Sequence, residues 1–375
     1  MILALIIALT AVPLSWAEPP VLETTAESAV LMDPVTGNIL FEKNPDKKLP
    51  PASVTKVMTL LVALEALEKG KVKLTDQVVT SENAWKMGGS QIYLEPGETM
   101  SLETMLISIA VGSANDACVA VAEHIAGSLE GYVQMMNKKA KELGCKNTNF
   151  VNDYGLPAEG HYTSARDLAI MMREALKYPL FQKLTSIKHY DLRGGKFVLH
   201  NTNKLLWWYK GVDGGKTGWT TEAKYCLAST AEREGLRLIA VVMASPEPKS
   251  HFRESMKLYN YGFAQFEAVS FAKKHQIIGN VQVHKGTVDL VNAVTENDVG
   301  AVVPKGNKDA VKSSIKLEKV VTAPVIRGQK LGTVTVIKDG RELLAVDLVA
   351  ERDVPKGNVF RHMKKIFRTT FTFNK

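Results

Sequence analysis

Cysteine is scarce and scattered. The chain has three, Cys118, Cys145 and Cys226, among 375 residues. None lies in a CxxC, and there is no paired Cys/His cluster and no HExxH, so the sequence offers no metal site. Three isolated thiols read as small buried hydrophobes, with one disulfide left open if the compartment is oxidising. Internal repeats and low-complexity tracts are missing, which excludes solenoids and disordered linkers. An acidic excess is missing too: the formal net charge is +8. Nucleic acid is one partner for such a charge. An anionic membrane surface or wall polymer fits an exported chain better, and we expect no nucleic acid.

Long apolar runs are also few. Only the opening, MILALIIALTAVPLSWAEPP, resembles a membrane span. Its apolar run from Ile2 to Val12 is too short to cross a bilayer. Pro13 breaks it, and Ser15-Trp16-Ala17 places small residues three and one before a cut, so a signal peptide over residues 1–17 is expected. The usual basic residues ahead of the run are absent, and an uncleaved anchor or a buried strand are the other readings. Cleavage would make this an exported protein, outside the cytoplasmic membrane.

What remains is ordinary globular composition, 45% hydrophobic and 23% charged, in a chain long enough for two or three domains. SAVLMDPVTGNILFEK (28–43) reads as two short strands around a Pro/Gly turn. PPASVTKVMTLLVALEALEKG (50–70) reads as an apolar helix. TMSLETMLISIAVGSANDACVAVAEHIAG reads as two helices broken at Gly112–Asn115, the second ending at Gly127. A helix over SARDLAIMMREALKY, strands flanking an Arg/Glu/Gly turn, and a helix over 251–266 follow. Together they predict a mixed α/β domain over residues 18–267. Near residue 270 the chain turns to β-branched alternation, and Asp339-Gly340 between TVTVIK and RELLAV signals a hairpin. A separate β-rich domain over 270–354 is expected.

The last twenty residues contain six Lys/Arg and no Asp/Glu. Wound as a helix over 356–375, they put Val359, Phe360, Met363, Ile366, Phe367 and Phe371 on one face. Arg361, Lys364, Lys365 and Arg368 fall on the other. That pattern suits a helix lying on a membrane surface. A helix packed on its own β domain is the alternative.

Ser53-Val-Thr-Lys56 at the mouth of the first helix carries the chemistry. Three residues apart on a helix, the two side chains share a face. A serine hydroxyl is a poor nucleophile until a neighbour takes its proton. Lysine can do that only when neutral, so burial or a second cation must depress its pKa. The apolar stretch Val57–Leu67 supplies burial. A second cation stands in Lys216-Thr217-Gly218, expected to open a strand, and Ser113-Ala-Asn115 lies in the break between helices. Rival pieces fit less well. Ser313–Lys316 repeats SxxK inside the β-rich part, and Ser81–Asn83 repeats SxN after a strand.

Ser53–Lys56, Ser113–Asn115 and Lys216–Gly218, in that order, resemble the three motifs of the penicillin-recognising serine enzymes. PPASVTKVMT, GSQIYLEPGE, GLPAEGHYTSARDLA and VDGGKTGWTTEA are similar to segments of the low-molecular-mass D-alanyl-D-alanine carboxypeptidases. The likeness spans nearly the whole chain. It implies a fold of α/β class: a serine transpeptidase/β-lactamase-like domain of antiparallel sheet and helices, then a small β-rich domain. It implies removal of the terminal D-alanine from the peptidoglycan pentapeptide through an acyl-enzyme, inhibition by β-lactams, and no cofactor. It assigns Ser53 as nucleophile and Lys56 as its base. Ser113 would bond between the two lysines and pass a proton to the leaving D-alanine, and Asn115 would orient Lys56 and the substrate amide. Lys216 and Thr217 would receive the terminal carboxylate, with Gly218 beside them. The amides of Ser53 and Trp219 would form the oxyanion hole. Gly215, where a larger apolar residue is common, and Trp219, where some members carry histidine, depart from the pattern. His161, Arg166 and Asp167 are expected to be structural, the last two as a pair or cap.

Two alternatives stay open. A β-lactamase of the same fold needs a carboxylate that activates water, and no Glu-x-x-Leu-Asn lies between Asn115 and Lys216. A wall-binding or scaffolding relative that has lost the chemistry would not need every nucleophile and base position filled.

Overall fold

A computed structural model describes residues 22–358. The expected leader over 1–17 lies outside the described residues, as does the expected tail helix from Val359 onward. Lys356 and Gly357 are still paired by backbone to Gly286 and Lys285, so the chain is extended there.

A five-stranded antiparallel sheet forms the spine of the first part. Its order is Ile39–Lys43, Ser28–Met32, Leu236–Ser245, Lys224–Arg233, Val212–Thr220. The central strand LRLIAVVMAS is uninterruptedly apolar from Leu238 to Ala244 because both faces are covered there. Alternation splits its side chains. Ile239, Val241 and Met243 join Val30 and Met32 in a core shared with the helices of residues 52–185. Leu238, Ala240 and Val242 join Leu31, Leu258 and Tyr259 under the helix Ser250–Gln265. The strand pair expected over 28–43 and the helix expected over 251–266 are both present.

The helix expected over 50–70 is a 3₁₀ turn, Ala52–Thr55, running into the α-helix Lys56–Glu68. It is apolar almost all round because almost all round it is buried. The predicted break falls where expected. Leu102–Ile107 widens into a π turn at Ser108–Gly112, Ser113 takes a left-handed conformation (φ 60°), and a new helix runs from Asn115 to Ala126. Widened turns of this kind recur at functional sites.

The helix Ser250–Gln265 passes directly into the strand Phe266–Ala272, which pairs with Val299–Pro304. A six-stranded sheet follows, with its own valine-rich core. Asp339 and Gly340, both at positive φ, turn Lys330–Lys338 back into Arg341–Ala350 as the hairpin signal predicts. The chain is thus α/β: an antiparallel sheet with helices, then a small β-rich domain. Among the described residues no helix is long and apolar enough to cross a membrane.

Candidate active site

Lys56 is wholly buried, and its Nζ has three neighbours. They are Ser53 Oγ at 3.1 Å, Asn115 Oδ1 at 2.7 Å and the Tyr154 carbonyl at 2.6 Å. Two of these can only accept. A neutral amine has two N–H bonds and one lone pair, so it can donate to Asn115 and Tyr154 and turn the lone pair to the Ser53 hydroxyl. Burial depresses the Lys56 pKa, opposed by Cys118, Asp153 and Asp116. Lys216 is buried as well, and its pKa falls well below the ordinary value through burial first and repulsion from Lys56 second. Two ammonium ions in one dry seam disfavour each other.

The seam lies between helices and sheet. Lys216-Thr217-Gly218 sits well inside the strand Val212–Thr220, not at its start as expected, because the pairing with Lys224–Arg233 already begins at Val212. Gly218 brings the strand against the turn that carries Ser53. A Cβ there would lie 2.9 Å from the backbone nitrogens of Ser53 and Val54 and 3.0 Å from the Pro51 carbonyl. Ser53 stands in the first helical turn, where N–H groups lack intrahelical acceptors. Trp219 follows with an exposed ring beside Tyr225. Thr217 Oγ1 donates to Thr202 Oγ1 at 2.7 Å, and Lys216 Nζ to the Thr217 carbonyl at 3.0 Å. The glycine at 215 has a local cause: φ is 125°, and a Cβ would collide with Ala228 and Ser229 of the next strand.

Asn115 is fixed from both sides. Its Nδ2 donates to the Gly88 carbonyl and its N–H to the Ser90 carbonyl, each at 2.7 Å. Asp116 holds the same loop by accepting from the amides of Ile92 and Leu94. Ser113 is buried beside this cluster, but among the described residues its hydroxyl bonds neither lysine. That differs from the expected bridge: Asn115 and Tyr154 hold Lys56, and Lys216 turns to its neighbouring carbonyl.

His161 is structural in its contacts. Val151 N–H donates to Nδ1 at 3.0 Å, so the proton sits on Nε2, which donates to Thr55 Oγ1 at 2.9 Å. Thr55 in turn donates to the Ala52 carbonyl. Burial pushes the His161 pKa down to about 4. Arg166 and Asp167 do not pair with each other. Arg166 reaches Asp46 and Glu42, while Asp167 accepts from Asn147 N and Thr148 Oγ1. Ser313 and Lys316 lie on a strand, where a spacing of three puts them on opposite faces. Ser81 caps the short helix Glu82–Trp85. All three cysteines are free.

Motif reasoning missed the carbonyls of Gly88, Ser90 and Tyr154, which no side chain marks, and the carboxyl of Asp153. Asp153 carries a signal only in hindsight, as a charge in a loop otherwise packed inward.

A serine beside a buried lysine of depressed pKa at a helix mouth, faced by a lysine-bearing edge strand, defines a serine acyl-transfer enzyme of the penicillin-recognising fold. Residues 15–247 match the family model described as D-alanyl-D-alanine carboxypeptidase, and 266–356 match the penicillin-binding protein 5 C-terminal domain. The chain is 46% identical over 344 residues to D-alanyl-D-alanine carboxypeptidase DacF of Bacillus subtilis, covering 91% of this chain and 88% of that one. It is 37% identical over 349 residues to DacA of Haemophilus influenzae, covering 91% and 88%. A crystal structure of penicillin-binding protein 5 from Haemophilus influenzae superposes with a TM-score of 0.71 at 36% identity, covering 90% and 99%. The ampicillin-bound penicillin-binding protein D2 of Listeria monocytogenes has a TM-score of 0.60 at 30% identity, covering 65% and 100%. The chain belongs to the peptidase S11 family of D-alanyl-D-alanine carboxypeptidases.

Proposed function

We propose that Ser53 is the nucleophile with which this D-alanyl-D-alanine carboxypeptidase cuts the terminal D-alanine from a peptidoglycan stem pentapeptide. The contact between Lys56 Nζ and Ser53 Oγ carries the reading. Ser53 Oγ attacks the carbonyl between the two D-alanines as Lys56 takes its proton. The oxyanion is held by the N–H groups of Ser53 and Trp219, which Gly218 allows to converge. Lys216 and Thr217 receive the terminal carboxylate. Collapse breaks the amide bond, and the departing amine takes a proton through Ser113. Asn115 keeps Lys56 aimed and meets the substrate amide. Water then attacks the Ser53 ester and gives a proton to Lys56, which returns it to Ser53 Oγ as the ester bond breaks and the shortened peptide leaves. A β-lactam meets the same serine and stops at the ester.

The β-lactamase alternative needs a carboxylate that touches water at the ester. The carboxyls nearest Lys56, Asp153 and Asp116, are buried, and Asp116 is occupied by backbone amides. Mass spectrometry of penicillin-treated protein should place the adduct on the Ser53 peptide. An adduct on Ser313, or none on folded protein, would sink the assignment.

The same reading places the enzyme outside the cytoplasmic membrane, with residues 1–17 as its leader, catalytic residues within 18–267 and a β-rich spacer over 270–354. The basic, apolar tail of 356–375 attaches it to an anionic membrane surface, at about 1 kcal/mol per basic residue near the bilayer plus its apolar face. Deleting residues 359–375 should release active enzyme from anionic vesicles. Retention on the vesicles would move the anchor elsewhere.

A further inference from the structure

Asp153 is wholly buried, and neither carboxyl oxygen has a hydrogen-bond partner. Such a group costs stability wherever it is placed. Its surroundings hold it in place. Asn152 pins the turn by accepting from Gly155 N at 2.6 Å and donating to the Leu156 carbonyl at 2.9 Å. Thr59, one turn along the nucleophile helix from Lys56, donates to the Asp153 carbonyl. The Tyr154 carbonyl, one residue on, is the acceptor that holds Lys56 Nζ. The backbone that carries the carboxyl is therefore tied on both sides to the helix of the proposed base, through Thr59 and through Lys56 itself.

We propose that Asp153 is a positioning residue for acylation: its buried carboxylate balances the charge that Lys56 acquires on taking the Ser53 proton. This rests on the Ser53–Lys56 reading above. Lys216 acts in the opposite sense, because a second cation disfavours the ammonium and the carboxylate favours it. The ionisable groups around Asp153 are Lys56 on the nucleophile helix, Asp116, Cys118 and Glu123 on the helix Asn115–Ala126, Tyr132 on the next helix, and Tyr154 in its own loop. Asp116 already accepts three backbone amides, and burial holds the Cys118 thiol protonated. Asp153 is left as the carboxylate with free acceptor capacity. Burial, only partly offset by the pull of Lys56, raises its pKa to about 7, so the carboxyl ionises near neutrality, where Lys56 must work.

The test is the pH dependence of acylation by a fluorescent penicillin in wild type, Asp153→Asn and Asp153→Ala. Removing the carboxylate makes the Lys56 ammonium less stable, so the acid limb of the rate profile should move down by about one pH unit. The plateau should fall about threefold to tenfold as the base weakens. A folded-state pKa raised above the unfolded value makes a carboxyl a stability cost above the unfolded pKa. The variants should therefore melt no lower than wild type at pH 8. An unmoved acid limb with normal folding overturns the proposal, and so does failure of both variants to fold, which would make Asp153 structural. If wild type itself is not acylated, the Ser53 reading fails, a separate result.

Discussion

Replacing Gly218 by alanine tests whether the seam between sheet and helices is the catalytic element. Gly218 has an ordinary backbone conformation, so alanine brings no φ strain of its own. Its effect is steric. The new methyl would meet three backbone atoms, at 2.9, 2.9 and 3.0 Å, and none can rotate away as a side-chain tip could. Ordinary contact starts near 3.4 Å, so the strand must retreat from the nucleophile turn by about half an ångström. Oxyanion donors work at about 2.7–3.1 Å, and losing one costs about 10²–10³ in rate, roughly 2.7–4 kcal/mol. The retreat moves Ser53 N and Trp219 N apart together, so a fall of at least about a hundredfold in acylation is expected. Overpacking should also cost about 1–3 kcal/mol of stability. Stopped-flow acylation by a fluorescent penicillin, with a thermal melt as control, separates the two effects. Gly218→Ala that folds and acylates within about threefold of wild type would refute the reasoning, because the hole would then tolerate the displacement that the contacts demand.

Lys56→Arg keeps the charge but removes the base, since guanidinium does not deprotonate near neutrality. It should abolish acylation, while Lys216→Arg should weaken it less, because a cation still meets the carboxylate; near-normal labelling of Lys56→Arg would exclude Lys56 as base. The second concerns acid stability. His161 is held neutral with a pKa near 4 against 6.5 in the unfolded chain, so the unfolded state binds more protons between those values. Stability should fall as pH drops from about 6.5 to about 4. Urea melts at pH 7, 5.5 and 4.5 should show a shallower loss for His161→Gln, and parallel slopes would mean that His161 does not drive it.

The elements around the site were legible where local chemistry and packing agreed. Pro50-Pro51 before an uninterrupted apolar run marks a helix mouth, and Ser53 and Lys56 share a face because that helix forms. The break at Gly112–Asn115 was readable from its small and polar residues, though the π turn before it was not: widening needs tertiary contacts that no local pattern records. The strand carrying Lys216 was placed too late, because Val212-Asp213-Gly214-Gly215 has poor strand composition. The glycines are there for backbone packing against Ala228 and Ser229 and the Thr185 hydroxyl. Nor could motifs reveal that Lys56 is held by the Tyr154 carbonyl, since a carbonyl is the same in every residue. Arg166 and Asp167, expected as a structural pair or cap, do not pair with each other, for a related reason. Neighbours on a helix point apart, and each found its partner in a distant loop.

The sheet order has a kinetic consequence. Ser28–Met32, near the start of the described chain, hydrogen-bonds to Leu236–Ser245, so Ser28 waits for Met243 before it has its central neighbour. A chain that emerges N-terminus first makes the nucleophile helix and most of its packing partners long before the sheet can close. Closing a loop that long is an entropic demand met only late, which makes folding slow. Until then the first strand has only its hairpin partner Ile39–Lys43, and the sheet closes when Leu236–Ser245 enters between Ser28–Met32 and Lys224–Arg233.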